Sequence, residues 1–275
     1  MLNPHTLTTP SERLFVIAGP CVVESHECLR EVASTLKPLC ESLKIPYIFK
    51  ASYRKANRTS GGSFEGIGDE RALEMLSAIR TEFDVPVLTD IHSAEEATLA
   101  AKYVDVLQIP AFLCRQSDIL RAAAETGKVV NIKKGQFLAP DDMLKAVEKI
   151  SSPEKPSSVW VTERGTSFGY HDLVVDMRSL VIMRESLRSR AVPVVYDATH
   201  SVQQPSLGAQ SGGKREFIPA LARAAVAVGI DGLFFETHPN PAAAKSDAAT
   251  QLPLGEAEHF LQQIVALHDT VQTFW

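Results

Sequence analysis

The chain has 275 residues, of which 45% are hydrophobic and 22% are charged, and its formal net charge at pH 7 is −5. This acidic balance excludes a chain-wide basic surface for nucleic acid or an anionic membrane, although local basic clusters can still bind small anions. No apolar stretch is long enough to span a bilayer, and the first residues lack the pattern of a secretory signal. The four cysteines form no C-x-x-C pair and are expected to be free thiols. The sequence therefore predicts a soluble, cytoplasmic globular protein.

Strands and helices are predicted to alternate along the whole chain. Short β-branched runs bounded by Gly and Pro are typical of buried strands, and apolar residues at helical spacing indicate helices between them. The strands are predicted at 14–18, 46–50, 85–90, 104–109, 129–133, 159–162, 193–197 and 232–236. The helices are predicted at 24–43, 69–83, 94–102, 117–126, 140–150, 173–188, 217–228 and 253–271.

These eight strand–helix units favour a (β/α)8 TIM barrel in the α/β class over an open doubly wound sheet. Their spacing of roughly 30 residues matches the length of a βαβ unit. No Gly-x-Gly-x-x-Gly follows a predicted strand, which argues against dinucleotide binding. No linker or low-complexity segment divides the chain, so we expect a single barrel domain over 1–275, with an N-terminal extension of about 1–13.

Several predicted strands end in polar side chains that should point into the mouth of the barrel. Alternate residues of a strand face opposite sides, and the side packed against the helices must be apolar. In 129–133, Asn131 and Lys133 share one face and the apolar residues share the other. The same count turns inward Lys50, Asp90, Gln108 and Glu236. One such residue fits a solvated strand end, but five strands with this feature predict an active site at the carboxyl ends of the strands.

The segment 192–205 carries a further signal. A β-branched strand ends in Asp197, and His200 then opens a loop rich in Ser, Gln and Gly. A lone loop histidine is usually a surface or hydrogen-bonding residue. Because α/β folds gather their chemistry just past the strand ends, the polar ends of the other strands favour a functional role for His200.

Five cations are expected to gather at the same mouth, in a chain that is acidic overall. They are Lys50, Lys55, Arg58, Lys133 and Arg164. Arginine matches phosphate or carboxylate with two parallel hydrogen bonds, and lysine acts as a point charge. The loop 54–63 adds hydroxyls, an amide and a Gly pair that suit a second anion. Either basic loop alone fits solvated surface, but together they predict substrates that carry more than one phosphate or carboxylate.

A metal site is a second possibility. The candidate ligands are Cys21, His200, Glu236 and Asp247, a mixed set suited to a divalent transition metal. No local spacing motif joins them, but closure of a barrel would bring together the ends of its first, seventh and eighth strands. Taken alone, Cys21 fits a small buried core residue better than a ligand.

Seven segments of the chain form motifs that are highly specific in combination. They are Gly-Pro-Cys-Val-Val-Glu-Ser at 19–25, Phe-Lys-Ala-Ser-Tyr-Arg-Lys-Ala-Asn-Arg-Thr-Ser at 49–60, Thr-Asp-Ile-His at 89–92, and the segments 106–116, 131–137, 163–170 and 192–205. In this order they resemble the 3-deoxy-D-manno-octulosonate 8-phosphate synthase family, whose members are also called 2-dehydro-3-deoxyphosphooctonate aldolases. The resemblance extends from about Phe15 to the C-terminal region.

The resemblance implies condensation of phosphoenolpyruvate with D-arabinose 5-phosphate and water, giving 3-deoxy-D-manno-octulosonate 8-phosphate and inorganic phosphate for lipopolysaccharide biosynthesis. It also implies a homotetramer and a flexible lid at 206–215. The residues implied to hold phosphoenolpyruvate are Lys50, Lys55, Gln108, Lys133, Arg164 and His200. Those implied to hold the sugar phosphate are Asn57, Arg58, Thr59, Asp90 and Gln203, where many relatives have Ser at position 59.

The family has a metal-dependent and a metal-independent branch, and the resemblance is to the former. The independent branch has Asn at the position of Cys21 and commonly has Pro at the position of Gly135. The implied metal ligands are Cys21, His200, Glu236 and Asp247, and the metal could be manganese, iron, cobalt, zinc or cadmium. The implied catalytic groups are His200, Asp247, Glu236, Lys133 and Arg164, and the identity of the base stays open.

Two alternative functions are weighed against this one. A 3-deoxy-7-phosphoheptulonate synthase would use erythrose 4-phosphate, and the loop at 55–60 argues against it. A non-catalytic phosphosugar-binding barrel would need no metal ligands. Cys28, Cys40 and Cys114 are interpreted as structural residues, and His92 receives no role.

Overall fold

The computed structural model describes residues 1–10, 13–56, 64–151, 157–205 and 212–274. Within these ranges, eight parallel strands follow one another around a closed barrel. The strands are β1 (Phe15–Gly19), β2 (Tyr47–Lys50), β3 (Val87–Asp90), β4 (Val106–Ile109), β5 (Val129–Lys133), β6 (Val159–Glu163), β7 (Val194–Asp197) and β8 (Gly232–His238). The barrel closes because β8 pairs in parallel with β1, from Gly232 opposite Phe15 to Glu236 opposite Gly19. The predicted (β/α)8 fold is confirmed.

A helix follows each strand and packs against the outside of the barrel. The helices are α1 (His26–Ser42), α2 (Asp69–Phe83), α3 (Ala94–Ala100), α4 (Ser117–Glu125), α5 (Met143–Glu148), α6 (Arg178–Leu187), α7 (Ile218–Val228) and α8 (Ala257–Gln272). The start of α1 shows how the sequence sets these bounds, since the Ser25 side chain accepts the Cys28 N–H at 3.2 Å and caps the helix. The apolar stripe of α1, which includes Leu29, Val32 and Leu36, is fully buried.

Three predicted helices are wrong at their starts. The helix predicted at 253–271 begins only at Ala257, after a 3-10 turn over Leu254–Glu256. The helix predicted at 173–188 begins only at Arg178, because Leu173–Val174 instead pairs antiparallel with Thr166–Ser167. The Asp176 carboxylate then accepts the Arg178 N–H at 3.0 Å and favours a helix start there. The helix predicted at 140–150 is a 3-10 turn over Pro140–Asp142, followed by the short α5.

The inside of the barrel is apolar towards the amino ends of the strands. The side chains of this inner core are Leu7, Phe15, Ile17, Ile48, Leu88, Val106, Val129, Trp160, Val195 and Phe234. Leu7 belongs to the predicted N-terminal extension, where a 3-10 turn spans Pro4–Leu7. The Trp160 Nε1–H donates a 2.6 Å hydrogen bond to the Leu7 carbonyl oxygen. The N-terminal extension therefore covers the apolar end of the barrel. The polar groups of the lumen lie at the opposite mouth.

Replacing Trp160 with phenylalanine is expected to lower the free energy of unfolding by about 2 kcal/mol, because the buried Leu7 carbonyl loses its donor. Urea unfolding followed by circular dichroism measures the change. The exposed contact between His5 and Ser158 provides a control, since His5→Ala should change stability by less than about 0.5 kcal/mol. Equal stability of Trp160→Phe and the unaltered protein would contradict a stabilising role for the N-terminal turn.

None of the helices in the described ranges combines the length and apolarity needed to cross a bilayer.

Candidate active site

The polar residues predicted at the strand ends lie together at the carboxyl mouth of the barrel. They are the buried side chains Lys50, Asp90, Gln108, Asn131, Lys133 and Glu236. The Lys50 Nζ lies 2.5 Å from Glu236 Oε1 and 2.9 Å from the Cys21 carbonyl oxygen. This close packing requires Gly19, because a Cβ there would lie 2.1 Å from the Lys50 carbonyl oxygen.

A hydrogen-bond chain crosses four neighbouring strands of this mouth. The Thr162 hydroxyl donates to Asn131 Oδ1 at 2.6 Å, and Asn131 Nδ2 donates to Gln108 Oε1 at 2.9 Å. Gln108 Nε2 in turn donates to Asp90, whose other oxygen accepts from Ser52. These hydrogen bonds fix the orientation of the Gln108 amide. Its nitrogen uses one hydrogen for Asp90 and keeps the second for another partner.

Four of the five predicted cations line one cavity, which Asp90 and Gln108 of the hydrogen-bond chain also line. They are Lys50, Lys55, Lys133 and Arg164, and the cavity also contacts Asp90, His92, Gln108, Pro110, Ala111, Phe112, Asp197 and His200. Arg164 Nη2 donates to Gln203 Oε1 at 3.2 Å, whereas its buried Nη1 has no partner among the described residues. A buried guanidinium nitrogen without a partner is costly, so an anion in the cavity would satisfy it.

Burial and neighbouring acidic groups shift the pKa values of two of these lysines. The pKa of Lys133 is lowered to about 8, because burial disfavours its charged form more than Asp197 favours it. Burial also disfavours the charged form of Lys55, but the acidic groups Cys21, Glu236 and Asp247 raise its pKa above the usual value. The Lys133 Nζ lies 3.3 Å from the centre of the Phe234 ring, which provides a cation–π contact.

The predicted metal ligands lie beside the cations. Ligand atoms of Cys21, Glu236 and Asp247 all lie within 4.8 Å of one another. The fourth predicted ligand, His200, adjoins this group through the carboxylates, since its Nε2 is 3.7 Å from Glu236 Oε1 and 3.6 Å from Asp247 Oδ2. The ends of β1, β7 and β8 therefore bring the four residues together, as closure of the barrel predicts.

The donors of this cluster fit a divalent transition metal. Burial, together with Asp247 and Glu236, raises the pKa of the Cys21 thiol well above its ordinary value. Glu236 Oε2 is buried and has no hydrogen-bond partner within the described ranges. A cation would bind this free oxygen and favour the Cys21 thiolate. A thiolate, an imidazole and two carboxylates together suit such an ion.

One buried amide connects the segments that carry Cys21 and Asp247. Gln251 Oε1 accepts the Cys21 N–H at 3.2 Å, and Gln251 Nε2 donates to the Ser246 carbonyl at 2.8 Å. Asp247 itself adopts a left-handed backbone with φ of 48°. Gln251 was not predicted from the sequence, because no local pattern marks a contact between residues 230 positions apart.

The residues predicted for a sugar phosphate are only partly described. Asp90 lines the cavity, and Gln203 Nε2 donates to Asp247 Oδ1 at 3.1 Å. Asn57, Arg58 and Thr59 lie outside the described residues, as do 206–211 of the predicted lid. Gly212–Gly213, at the end of that lid, pairs antiparallel with Gln203–Gln204.

The remaining cysteines and His92 lie outside the metal cluster. All four cysteines are free thiols, as predicted, and Cys40 and Cys114 are buried in the outer core. The His92 N–H donates to Glu96 Oε2 at 2.8 Å, and its ring lines the cavity.

Comparison with known proteins identifies relatives along most of the chain. The sequence model of the DAHP synthetase I family matches residues 5–273. The 2-dehydro-3-deoxyphosphooctonate aldolase of Variovorax paradoxus (strain S110) is 55% identical over 259 residues, which cover 92% of this chain and 90% of the relative. The protein of the same name from Methylibium petroleiphilum (strain ATCC BAA-1232 / LMG 22953 / PM1) is 54% identical over 264 residues, covering 94% and 91%. A third from Koribacter versatilis (strain Ellin345) is 54% identical over 263 residues, covering 94% and 92%.

Proposed function

Because this chain belongs to the DAHP synthetase I family and shares more than half of its aligned residues with relatives named 2-dehydro-3-deoxyphosphooctonate aldolase, we propose that it condenses phosphoenolpyruvate with D-arabinose 5-phosphate and water. The products are 3-deoxy-D-manno-octulosonate 8-phosphate and inorganic phosphate. One observation supports the proposal most directly: four cations line a cavity that adjoins a cluster of a thiol, an imidazole and two carboxylates.

The cations of the cavity bind phosphoenolpyruvate in this proposal. Lys55, Lys133 and Arg164 hold its phosphate and carboxylate, and the free Nη1 of Arg164 gains an anionic partner. Lys50 and Gln108 lie beside them, with the Gln108 nitrogen available as a donor. His200 lies at the border between this site and the metal cluster. The sugar contacts Asp90 and Gln203, and its phosphate is bound by Asn57, Arg58 and Thr59.

The reaction forms one carbon–carbon bond and one carbon–oxygen bond, and it breaks the carbon–oxygen bond to phosphate. The alkene carbon of phosphoenolpyruvate attacks the aldehyde carbon of the sugar, and the aldehyde oxygen takes up a proton. Water adds to the phosphate-bearing carbon and loses one proton to a carboxylate of Glu236 or Asp247. The new hydroxyl group then becomes the ketone of the product as phosphate leaves, and the phosphate takes up the hydroxyl proton. Lys133 and Arg164 balance the substrate charge and the charge that develops around the reacting carbons.

Cys21, His200, Glu236 and Asp247 hold a divalent metal in this proposal. Manganese, iron, cobalt, zinc and cadmium all suit the donor set. When bound, the metal supplies Lewis acidity towards the aldehyde oxygen or the attacking water. We further propose that the protein acts in the cytoplasm as a homotetramer, in lipopolysaccharide biosynthesis.

Phosphate release with two sugars tests the proposed reaction. We expect release from phosphoenolpyruvate with arabinose 5-phosphate and little with erythrose 4-phosphate. The reverse preference would assign the chain to the 3-deoxy-7-phosphoheptulonate synthases, an alternative that the names of the curated relatives do not favour. Binding of both substrates without phosphate release would favour a non-catalytic barrel.

The pH dependence of the reaction should follow the charge of Lys133. A lysine is charged below its pKa and neutral above it, and burial lowers the pKa of Lys133 to about 8. The kcat/KM for phosphoenolpyruvate, which depends on the free enzyme, should therefore fall as the pH rises through about 8. Lys133→Arg should move this decline to higher pH, because a guanidinium stays charged. The same alkaline decline in both proteins would exclude Lys133 as its cause.

A further inference from the structure

Asp197 is a buried carboxylate to which the proposed reaction assigns no role. It ends β7, and its side chain is fully buried at the mouth of the barrel. Its Oδ1 accepts the backbone N–H groups of Thr199 and His200 at 3.1 and 2.9 Å. Its Oδ2 lies 2.5 Å from Lys133 Nζ and 2.8 Å from His200 Nδ1. The chain's own donors thus occupy both oxygens, so the carboxylate is suited to position other groups and not to bind substrate.

The contact with Asp197 decides which nitrogen of His200 can bind a metal. An ionised carboxylate only accepts hydrogen bonds, so the neutral ring carries its hydrogen on Nδ1. The Nε2 then keeps its lone pair, and it is the nitrogen that lies 3.7 and 3.6 Å from the carboxylates of Glu236 and Asp247. A carboxylate on the far nitrogen of a ligating histidine fixes ring orientation and tautomer in metal sites generally.

The same oxygen also holds Lys133, which belongs to a different part of the barrel. Lys133 ends β5, which is separated from β7 by β6. Asp197 Oδ2 therefore contacts both the ammonium and the imidazole. The centre of the Phe234 ring lies 3.3 Å from Lys133 Nζ and 5.9 Å from the centre of the His200 ring. Movement of this carboxylate would change the proposed metal site and the proposed phosphoenolpyruvate site together.

We propose that Asp197 is a positioning residue whose Oδ2 fixes the tautomer of His200 and the place of the Lys133 ammonium, so that the metal and substrate-anion sites form one unit. The assignment of these two sites rests on the function proposed above. The hydrogen-bond geometry of His200 and Lys133 is independent of that function.

The substitution Asp197→Asn tests the proposal with little change in shape. The asparagine oxygen can still accept from the backbone of Thr199 and His200, which leaves its NH2 group facing Lys133 and His200 Nδ1. The amide then donates to Nδ1, which moves the ring hydrogen to Nε2 and removes the lone pair needed for a metal. We expect zinc affinity to fall by about 10–100-fold, as for other losses of such a partner. The KM for phosphoenolpyruvate should also rise at saturating metal.

Burial lowers the pKa of His200 less than Asp197 and Glu236 raise it, so the ring of the metal-free protein is neutral only at alkaline pH. Nitrogen-15 NMR of the metal-free protein at such a pH, with the His200 signal assigned by its loss in His200→Gln, reports the tautomer directly. The hydrogen should lie on Nδ1 in the unaltered protein and on Nε2 in Asp197→Asn. Zinc affinity is measured on the same samples by competition with a chromophoric chelator. Both readouts need no substrate, so they stay independent of whether phosphate release supports the proposed reaction.

Asp231→Asn is the matched control. Asp231 is half-buried, and its Oδ2 accepts the Val194 N–H at 2.8 Å at the opposite end of β7. Asparagine keeps an acceptor there, so tautomer and zinc affinity should not change. A folded Asp197→Asn protein with unchanged zinc affinity would overturn the proposal. So would an Nε2–H tautomer in the unaltered protein, which can be read even if Asp197→Asn does not fold.

Discussion

Replacing Cys21 with alanine is expected to remove the bound metal and to lower turnover on the order of 10³-fold, since Lewis-acid stabilisation contributes several kcal/mol. The buried thiol lies 3.1 Å from Asp247 Oδ2. Its loss leaves the two carboxylates and His200 without the soft donor that favours a transition metal. Elemental analysis of the purified protein and the rate of phosphate release measure the two effects separately.

Cys40→Ala provides the control for this prediction. Cys40 is equally buried, but it lies in α1, and burial raises the pKa of its thiol to about 12. Its replacement should cost about 1 kcal/mol of stability and leave metal content unchanged. Cys21→Asn should retain some activity without metal, because the metal-independent branch has Asn at this position. A full metal equivalent in Cys21→Ala would remove Cys21 from the ligand set.

Replacing Arg164 with methionine is expected to lower kcat/KM for phosphoenolpyruvate by about 10²–10³-fold, as for the loss of one preorganised donor to developing charge. The reason is the Arg164 guanidinium, which lines the cavity together with three lysines and whose buried Nη1 has no partner in the described part of the chain. Arg164→Lys keeps the charge but loses the planar fork, so its loss should be smaller. Steady-state kinetics at saturating sugar phosphate and metal measures both.

Arg190→Met is a suitable control for the Arg164 substitutions. Arg190 follows α6 and bonds Ser151 and Glu148 at the other end of the barrel. Its replacement should leave kcat/KM within about twofold, because surface contacts of this kind contribute little. An Arg164→Met protein that keeps the kcat/KM of the unaltered protein would place the substrate anion elsewhere.

The strand ends of the site could be predicted from sequence because side-chain alternation is a local rule. In 129–133 the pattern alone turns Lys133 into the lumen, where it contacts Asp197. The two-residue strands at 166–167 and 173–174 are too short for such a rule, and Leu173 and Val174 also fit the helical period that follows. The helix start at Arg178 therefore could not be predicted.

The supporting contacts of the site were beyond prediction for a different reason. Asp197 was visible as the acid that ends a strand, but its contact with Lys133 joins residues 64 positions apart. Gln251 connects to Cys21 only after the barrel has closed. Such contacts depend on the packing of the whole fold, so sequence periodicity locates the side chains that face the mouth but does not show how they are held there.

The most direct test of a single metal-dependent site is phosphate release from phosphoenolpyruvate and arabinose 5-phosphate before chelation, after chelation and after manganese is restored. We predict that activity disappears when the metal is removed and returns with manganese, because the cation-lined cavity and the Cys21, His200, Glu236 and Asp247 cluster adjoin. Undiminished activity in protein shown by elemental analysis to be free of metal would contradict this account and leave Cys21 as a structural thiol.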